Sequence, residues 1–182
     1  MKRALLGLLL ITACSRKADL PVMNTVPEFT FIERSTREVK SQELAGKIWV
    51  ADFVFTRCGG FCPAMTEKMR KLQDLLPAQI QLVSFSVDPD TDTPAVLAEY
   101  AKRYDADPDR WLFLTGNKAS LYKLSKDGFK LAVDDTGGTE IEPITHSTRF
   151  ALVDRQGRIR GYYSMDEESE LAHLVSDAKT LL

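Results

Sequence analysis

Ile48-Trp-Val-Ala-Asp-Phe-Val-Phe55-Thr-Arg-Cys58-Gly-Gly-Phe-Cys62-Pro63 is the stretch on which the fold turns. Its first eight residues form an apolar run too short for a buried helix, of the kind that fills a central strand covered on both faces. Pro63 suits the first position of a helix and places Cys62 at the N-cap, with Cys58 in the loop leading into it. The helix is then announced by Met65, Met69, Leu72 and Leu76, apolar at helical spacing with charges between, so both methionines are expected in the core. A strand feeding a helix through a cysteine-bearing loop is the seed of an α/β domain.

The flanking sequence extends the pattern. Before it lie Phe29-Thr-Phe-Ile and a short pairing segment over 37–40. After it come a strand over 80–87, a helix opened by Thr93 as N-cap and Pro94, a strand over 111–114, and a short helix over 117–126 stopped by Asp127-Gly128. Strands over 148–153 and 158–163 form a hairpin around Arg155-Gln-Gly157, and a helix over 166–181 closes the chain. This alternation predicts an α/β, three-layer sandwich with a mixed central sheet and a terminal β-hairpin.

The N-terminus reads differently. Lys2 and Arg3 precede an apolar run from Ala4 to Ile11, well short of the roughly 20 residues that span a bilayer, which is the pattern of an export leader. Ile11-Thr-Ala-Cys14 resembles a bacterial lipobox, in which the cysteine becomes the first mature residue and carries lipid on sulfur. The expected organisation is a signal peptide over 1–13, lipidated Cys14 with a polar, Pro-containing linker over 14–27, and one folded domain over 28–182. The expected place is outside the cytoplasm, lipid-anchored to a bacterial membrane and facing the periplasm or the cell exterior.

Composition narrows the function. The 182 residues carry 24 basic and 26 acidic side chains, a net charge of −2, which gives no polyanion such as nucleic acid a reason to bind. Three cysteines are too few for a disulfide scaffold, so each thiol needs its own account. With Cys14 assigned to lipid, Cys58 and Cys62 are left as a pair.

Helix N-termini stabilise thiolates, so lowered thiol pKa values are expected at this pair. Gly59 and Gly60 let the intervening backbone fold back so that both sulfurs face one point. The three-residue spacing suits a disulfide or the chelation of one soft metal ion. A purely structural bridge is disfavoured because so small a ring removes little unfolded-chain entropy, and it would predict a disulfide that resists mild reductant. Asp52, in the middle of the apolar strand, is placed to take or give a proton for a sulfur beneath the loop, a supporting role that solvent access at a strand end would abolish. His173 falls on the outer side of the last helix and is expected to be solvated. His146 ends a loop rich in glycine and acid, 134–143, immediately before a strand; taken alone such a histidine is more often structural than a ligand.

Four motifs in order resemble the Sco/SenC family: Trp49-Val-Ala-Asp-Phe-Val-Phe-Thr-Arg-Cys58-x-x-x-Cys62-Pro63, Ser84-Phe-Ser-Val-Asp-Pro-Asp-Thr-Asp-Thr93, Trp111-Leu-Phe-Leu-Thr-Gly116, and His146 before a strand. The resemblance covers about residues 28–180. It implies a thioredoxin-like fold and a copper chaperone that delivers one copper ion, Cu(I) or Cu(II), to the binuclear copper centre of cytochrome c oxidase. It implies Cys58, Cys62 and His146 as metal ligands and Asp88 as a supporting residue in the acidic motif. Two thiolates and an imidazole are soft to borderline donors that accept copper or zinc, so the metal is named by the resemblance and not by the donors. Its implied partners are the oxidase subunit that bears the copper centre and other copper or thiol-redox proteins. Many members have proline where this chain has Gly59, a departure that bears on the balance between copper binding and thiol exchange. The competing enzyme reading is a thiol–disulfide reductase with Cys58 attacking and Cys62 resolving. A thiol peroxidase, with Thr56 and Arg57 around one cysteine, fits the spacing poorly.

Overall fold

The computed structural model describes residues 19–139 and 143–182. The leader, Cys14 with the first residues of the linker, and residues 140–142 of the acidic loop lie outside them. Among the described residues, ten strands and four α-helices follow in order: β1 (Asn24–Thr25), β2 (Thr30–Glu33), β3 (Glu38–Lys40), β4 (Ile48–Val54), α1 (Cys62–Leu75), β5 (Ile80–Ser86), α2 (Pro94–Arg103), β6 (Trp111–Thr115), α3 (Lys118–Lys123), β7 (Val133–Asp134), β8 (Thr145–His146), β9 (Arg149–Val153), β10 (Arg158–Ser164) and α4 (Glu168–Thr180).

Eight strands make one sheet in the order β1-β10-β9-β4-β5-β6-β2-β3. The central β4, β5 and β6 run parallel, joined through α1 and α2, and the outer strands pair antiparallel. β4 is buried at all seven positions, as its unbroken apolar run requires. Its side chains alternate between two cores. Trp49, Ala51 and Phe53 join Phe29, Phe31, Phe85 and Phe129 on one face. Ile48 and Val50 meet Met65, Met69 and Leu72 of α1, Leu97 and Tyr100 of α2, and Leu171 and Leu174 of α4 on the other. Met65 and Met69 are thus core residues, and the fold is the mixed three-layer α/β sandwich expected, with β9 and β10 as its hairpin. Gly157 turns that hairpin at φ +72°, a left-handed conformation that favours glycine.

Three features depart from the expected layout. Residues 24 and 25, within the expected linker, form an edge strand against Ile159 and Arg158, and Leu20 packs against the core. Arg160 secures this segment, donating to the Leu20 and Pro21 carbonyls and pairing with Asp19 at 2.5 Å. The helix expected over 117–126 ends its regular turns at Lys123 and widens, the Phe129 N–H reaching back to the Leu124 carbonyl. A Cβ on Gly128 would lie 2.7 Å from Pro27 Cδ, so glycine is required where this wide turn meets the N-terminal segment. Finally, β7 and β8 form a separate two-stranded ribbon in the segment read as loop.

Candidate metal centre

Cys58, Cys62 and His146 come together from two distant parts of the chain. Phe61 caps α1, so Cys62 is its first residue, one position further in than expected. Cys62 is fully buried, whereas Cys58, in the loop between β4 and α1, retains 9% exposure at the surface end of the pair. Both thiols are free. His146 arrives on β8, whose pairing with Val133 of β7 fixes its height over the loop. Buried Val133 and Ile144 root that ribbon in the core.

The ligand atoms of the three residues all lie within 4.8 Å of one another. His146 Nε2 is 3.0 Å from Cys62 Sγ. Its Nδ1 is 3.1 Å from the Ser147 carbonyl, which can only accept, so Nδ1 carries the proton and Nε2 presents its lone pair to the sulfurs. Phe55 packs edge-on against the imidazole at 5.7 Å and holds its plane. A shallow cleft of about 100 Å³, lined by Cys58, Phe61, Ile144, Thr145, His146 and Thr148, opens onto the group. A roomier cleft lies between residues 24–31 and α3, and neither cysteine nor histidine lines it. Half-exposed Phe61 stands at the rim of the ligand cleft.

The expectation of lowered thiol pKa values fails at Cys62. Burial, reinforced by the neighbouring Cys58 thiol, pushes Cys62 upward, against only a partial offset from the Phe55 backbone. Desolvation of a residue with no exposed surface outweighs its place at a helix N-terminus. A cation bound between the sulfurs would supply the counter-charge that ionised thiols need in so buried a place.

Asp52 is wholly buried, and neither carboxylate oxygen has a hydrogen bond of normal length and angle. The Ser84 hydroxyl beside it on β5 already accepts from the Trp111 indole. Burial pushes the Asp52 carboxyl up to about 7, with Ser84 holding it back in part, and its charge acts to raise Cys62. The solvent-exposed strand-end alternative is therefore set aside.

Asp88 stands outside the ligand group. Its buried carboxylate accepts from Arg57 Nε at 2.5 Å, tying down the residue before Cys58. Asp92, for which the sequence raised no expectation, is buried completely and accepts from Thr56 and Ser86. Its burial beside Thr56, 36 residues away, leaves no local trace in the sequence. His173 is two-thirds exposed, as expected of a solvated histidine.

The SCO1/SenC family model matches residues 18–182. The chain belongs to the SCO1/SenC family. A SCO1 protein homolog of Bacillus subtilis (strain 168) is 32% identical over 181 residues, covering 96% of this chain and 93% of its own length. A SCO1/SenC family lipoprotein from Bacillus anthracis shares the structure at a TM-score of 0.80 and 35% identity, over 87% of this chain and 96% of that one. BsSco, a member of the Sco family of cytochrome c oxidase assembly proteins in which a disulfide switch was identified, superposes at 0.79 with 33% identity, over 89% and 96% of the two chains. Bradyrhizobium japonicum ScoI, solved with copper bound, shares the fold at 0.72 with 22% identity, over 87% and 99%. The thioredoxin-like Sco architecture expected from the four motifs is the architecture of this chain.

Proposed function

We propose that this SCO1/SenC protein is a metallochaperone that carries one copper ion on reduced Cys58, Cys62 and His146. It passes the ion by ligand exchange to a cysteine pair on its recipient. The observation that carries this reading is the convergence of two thiols and an imidazole within 4.8 Å, a donor set that suits soft Cu(I). Two thiolates and one neutral imidazole leave a three-coordinate ion open on the cleft side, where an incoming thiolate can add before Cys58 leaves. Cys58, the more exposed of the two sulfurs, is the natural one to exchange first. Asp88 steadies Arg57 behind the loop, and Asp52 holds a proton beneath Cys62.

The recipient we infer is the copper-centre subunit of cytochrome c oxidase, in line with the assembly role of the family to which BsSco belongs. Residues 1–13 serve as an export leader, and lipid on Cys14 holds the domain at the outer face of a bacterial membrane. Among the described residues no helix is long and apolar enough to cross a membrane, and a lipoprotein relative supports the anchor.

Titration of the reduced domain with Cu(I) and with Cu(II), beside Cys58→Ser and Cys62→Ser, tests the carrier. One equivalent should bind tightly to the parent protein and weakly to each variant, and substoichiometric or cysteine-independent uptake would refute it.

The free state of both thiols also suits a thiol–disulfide reductase. Cys58 thiolate would attack a partner disulfide, releasing one partner thiol, and Cys62 would then displace the second, leaving the Cys58–Cys62 disulfide and a reduced partner. Such a reductase keeps its activity in His146→Ala, whereas the carrier does not.

A further inference from the structure

Cys62 is fixed by α1 and His146 by the β7–β8 ribbon, but Cys58 lies in irregular backbone followed by two glycines. The Cys58 N–H bonds the Phe55 carbonyl at 3.4 Å, and the further hold on the loop acts on the two residues between them, Thr56 and Arg57. Both are gripped by the turn that follows β5. The Asp92 carboxylate, with no exposed surface, accepts from the Thr56 hydroxyl at 2.6 Å and from the Thr56 backbone N–H at 3.2 and 3.3 Å. Its other oxygen accepts from the Ser86 hydroxyl at 2.6 Å. Ser86 Oγ in turn accepts the Asp88 N–H at 3.0 Å, which sets the backbone of the residue whose carboxylate holds Arg57.

One buried carboxylate thus organises both grips. All of its partners donate, so an ionised acceptor is matched to them, and an amide in its place would turn two N–H groups toward donors. A carboxylate is costly to bury, and here each of its oxygens is satisfied by groups leading to the cysteine loop.

We propose that Asp92 is a positioning residue of the Cys58–Cys62–His146 centre: through Thr56, and through Ser86 and Asp88 to Arg57, it sets where Cys58 presents its sulfur. For copper affinity this rests on the carrier reading above; for the thiol pair it stands alone. Loosening the grip lowers the effective concentration of Cys58 at Cys62, which disfavours both shared metal binding and disulfide closure.

The test compares Asp92→Asn, Thr56→Val and Thr56→Ser with Asp154→Asn, which damages a buried carboxylate network on the hairpin away from the centre. Two quantities are read on the folded proteins: Cu(I) affinity by competition with a chelator, and the metal-free equilibrium of the Cys58–Cys62 disulfide with glutathione. Asp92→Asn and Thr56→Val should lower copper affinity roughly 10–100-fold, the range for groups that orient metal ligands. They should also shift the disulfide equilibrium about tenfold toward the dithiol, ~30 mV. Thr56→Ser, which keeps the hydroxyl, should match the parent, and Asp154→Asn should lose stability with both quantities unmoved. If Asp92→Asn does not fold, Thr56→Val decides alone. The proposal is overturned if folded Thr56→Val stays within twofold of the parent in the disulfide equilibrium, or if Asp154→Asn shifts that equilibrium equally. A parent protein that takes up no copper defeats the carrier reading, and the glutathione equilibrium still decides the role of Asp92.

Discussion

His146 Nε2 lies 3.0 Å from Cys62 Sγ across 84 residues of chain, while the Ser147 carbonyl stands 3.1 Å from the other ring nitrogen. This contact is what turns a cysteine pair into a three-donor centre. His146→Ala should keep the fold, because the imidazole is only half-buried and the ribbon is rooted by Val133 and Ile144. Loss of a direct ligand should exceed the roughly 10–100-fold that loss of an orienting group costs, so Cu(I) affinity is expected to fall by more than about 100-fold. Chelator competition measures it, and retention of near-parental affinity would rule out the three-ligand site.

Asp52 should make the domain less stable as pH rises. Its carboxyl titrates at about 7 when folded and near 3.8 when unfolded, so between those values the folded state holds a proton that the unfolded state has released. Stability from this group is full below about pH 3.8, declines up to about pH 7 and is lost above it. The whole effect is of the order of 4 kcal/mol. Asp52→Asn removes the dependence. Urea unfolding from pH 4 to 8 should show the parent losing stability relative to the variant across that window, and parallel profiles would contradict it.

Thr66 supports α1 from within. Its hydroxyl donates to the Cys62 carbonyl at 2.9 Å and accepts from the Tyr100 hydroxyl at 2.7 Å, all in the interior. Thr66→Val takes from the buried Tyr100 hydroxyl its 2.7 Å acceptor and leaves it only the Tyr104 hydroxyl nearby, so a loss of about 1–3 kcal/mol is expected in denaturant unfolding, with copper stoichiometry unchanged. A loss below about 0.5 kcal/mol would mean that Tyr100 finds another acceptor.

What was legible in the sequence follows from how local each signal is. β4 could be read because seven consecutive residues are covered on both faces, and α1 because Met65, Met69 and Leu72 recur on one side. Cys58 and Cys62 declared themselves by spacing and by Pro63. His146 was legible only through the family resemblance, because its partner Val133 lies across a two-residue ribbon too short for any periodicity. β1 was hidden for the same reason, and its pairing depends on an arginine more than a hundred residues away. Asp88 was legible as a supporting residue only through the resemblance, and its hold on Arg57 and the role of Asp92 were not legible at all, since only the parallel pairing of β4 with β5 brings the two loops side by side. The direction of the Cys62 shift needed burial, which a helix N-terminus alone does not reveal.

Arg160 makes the final prediction, on how the N-terminal segment is held. β1 contributes two residue pairs to the sheet, too few to stay closed unaided, and its flanking backbone bonds run from Met23 N–H to Ile159 and from Val26 N–H to Gly157. The buried guanidinium closes the segment by bonding the Leu20 and Pro21 carbonyls and pairing with Asp19. In Arg160→Met the apolar stem is retained and Asp154 keeps Arg158 at 2.8 Å, so the hairpin should hold. Hydrogen bonds from a charged donor contribute about 1.5–3 kcal/mol, so local opening should become roughly 10–100-fold more frequent. Amide exchange at Met23 and Val26 should accelerate by that factor while β4 and β5 stay protected. Unchanged exchange at Met23 would show that β1 pairing and the packing of Leu20 hold the segment without the arginine.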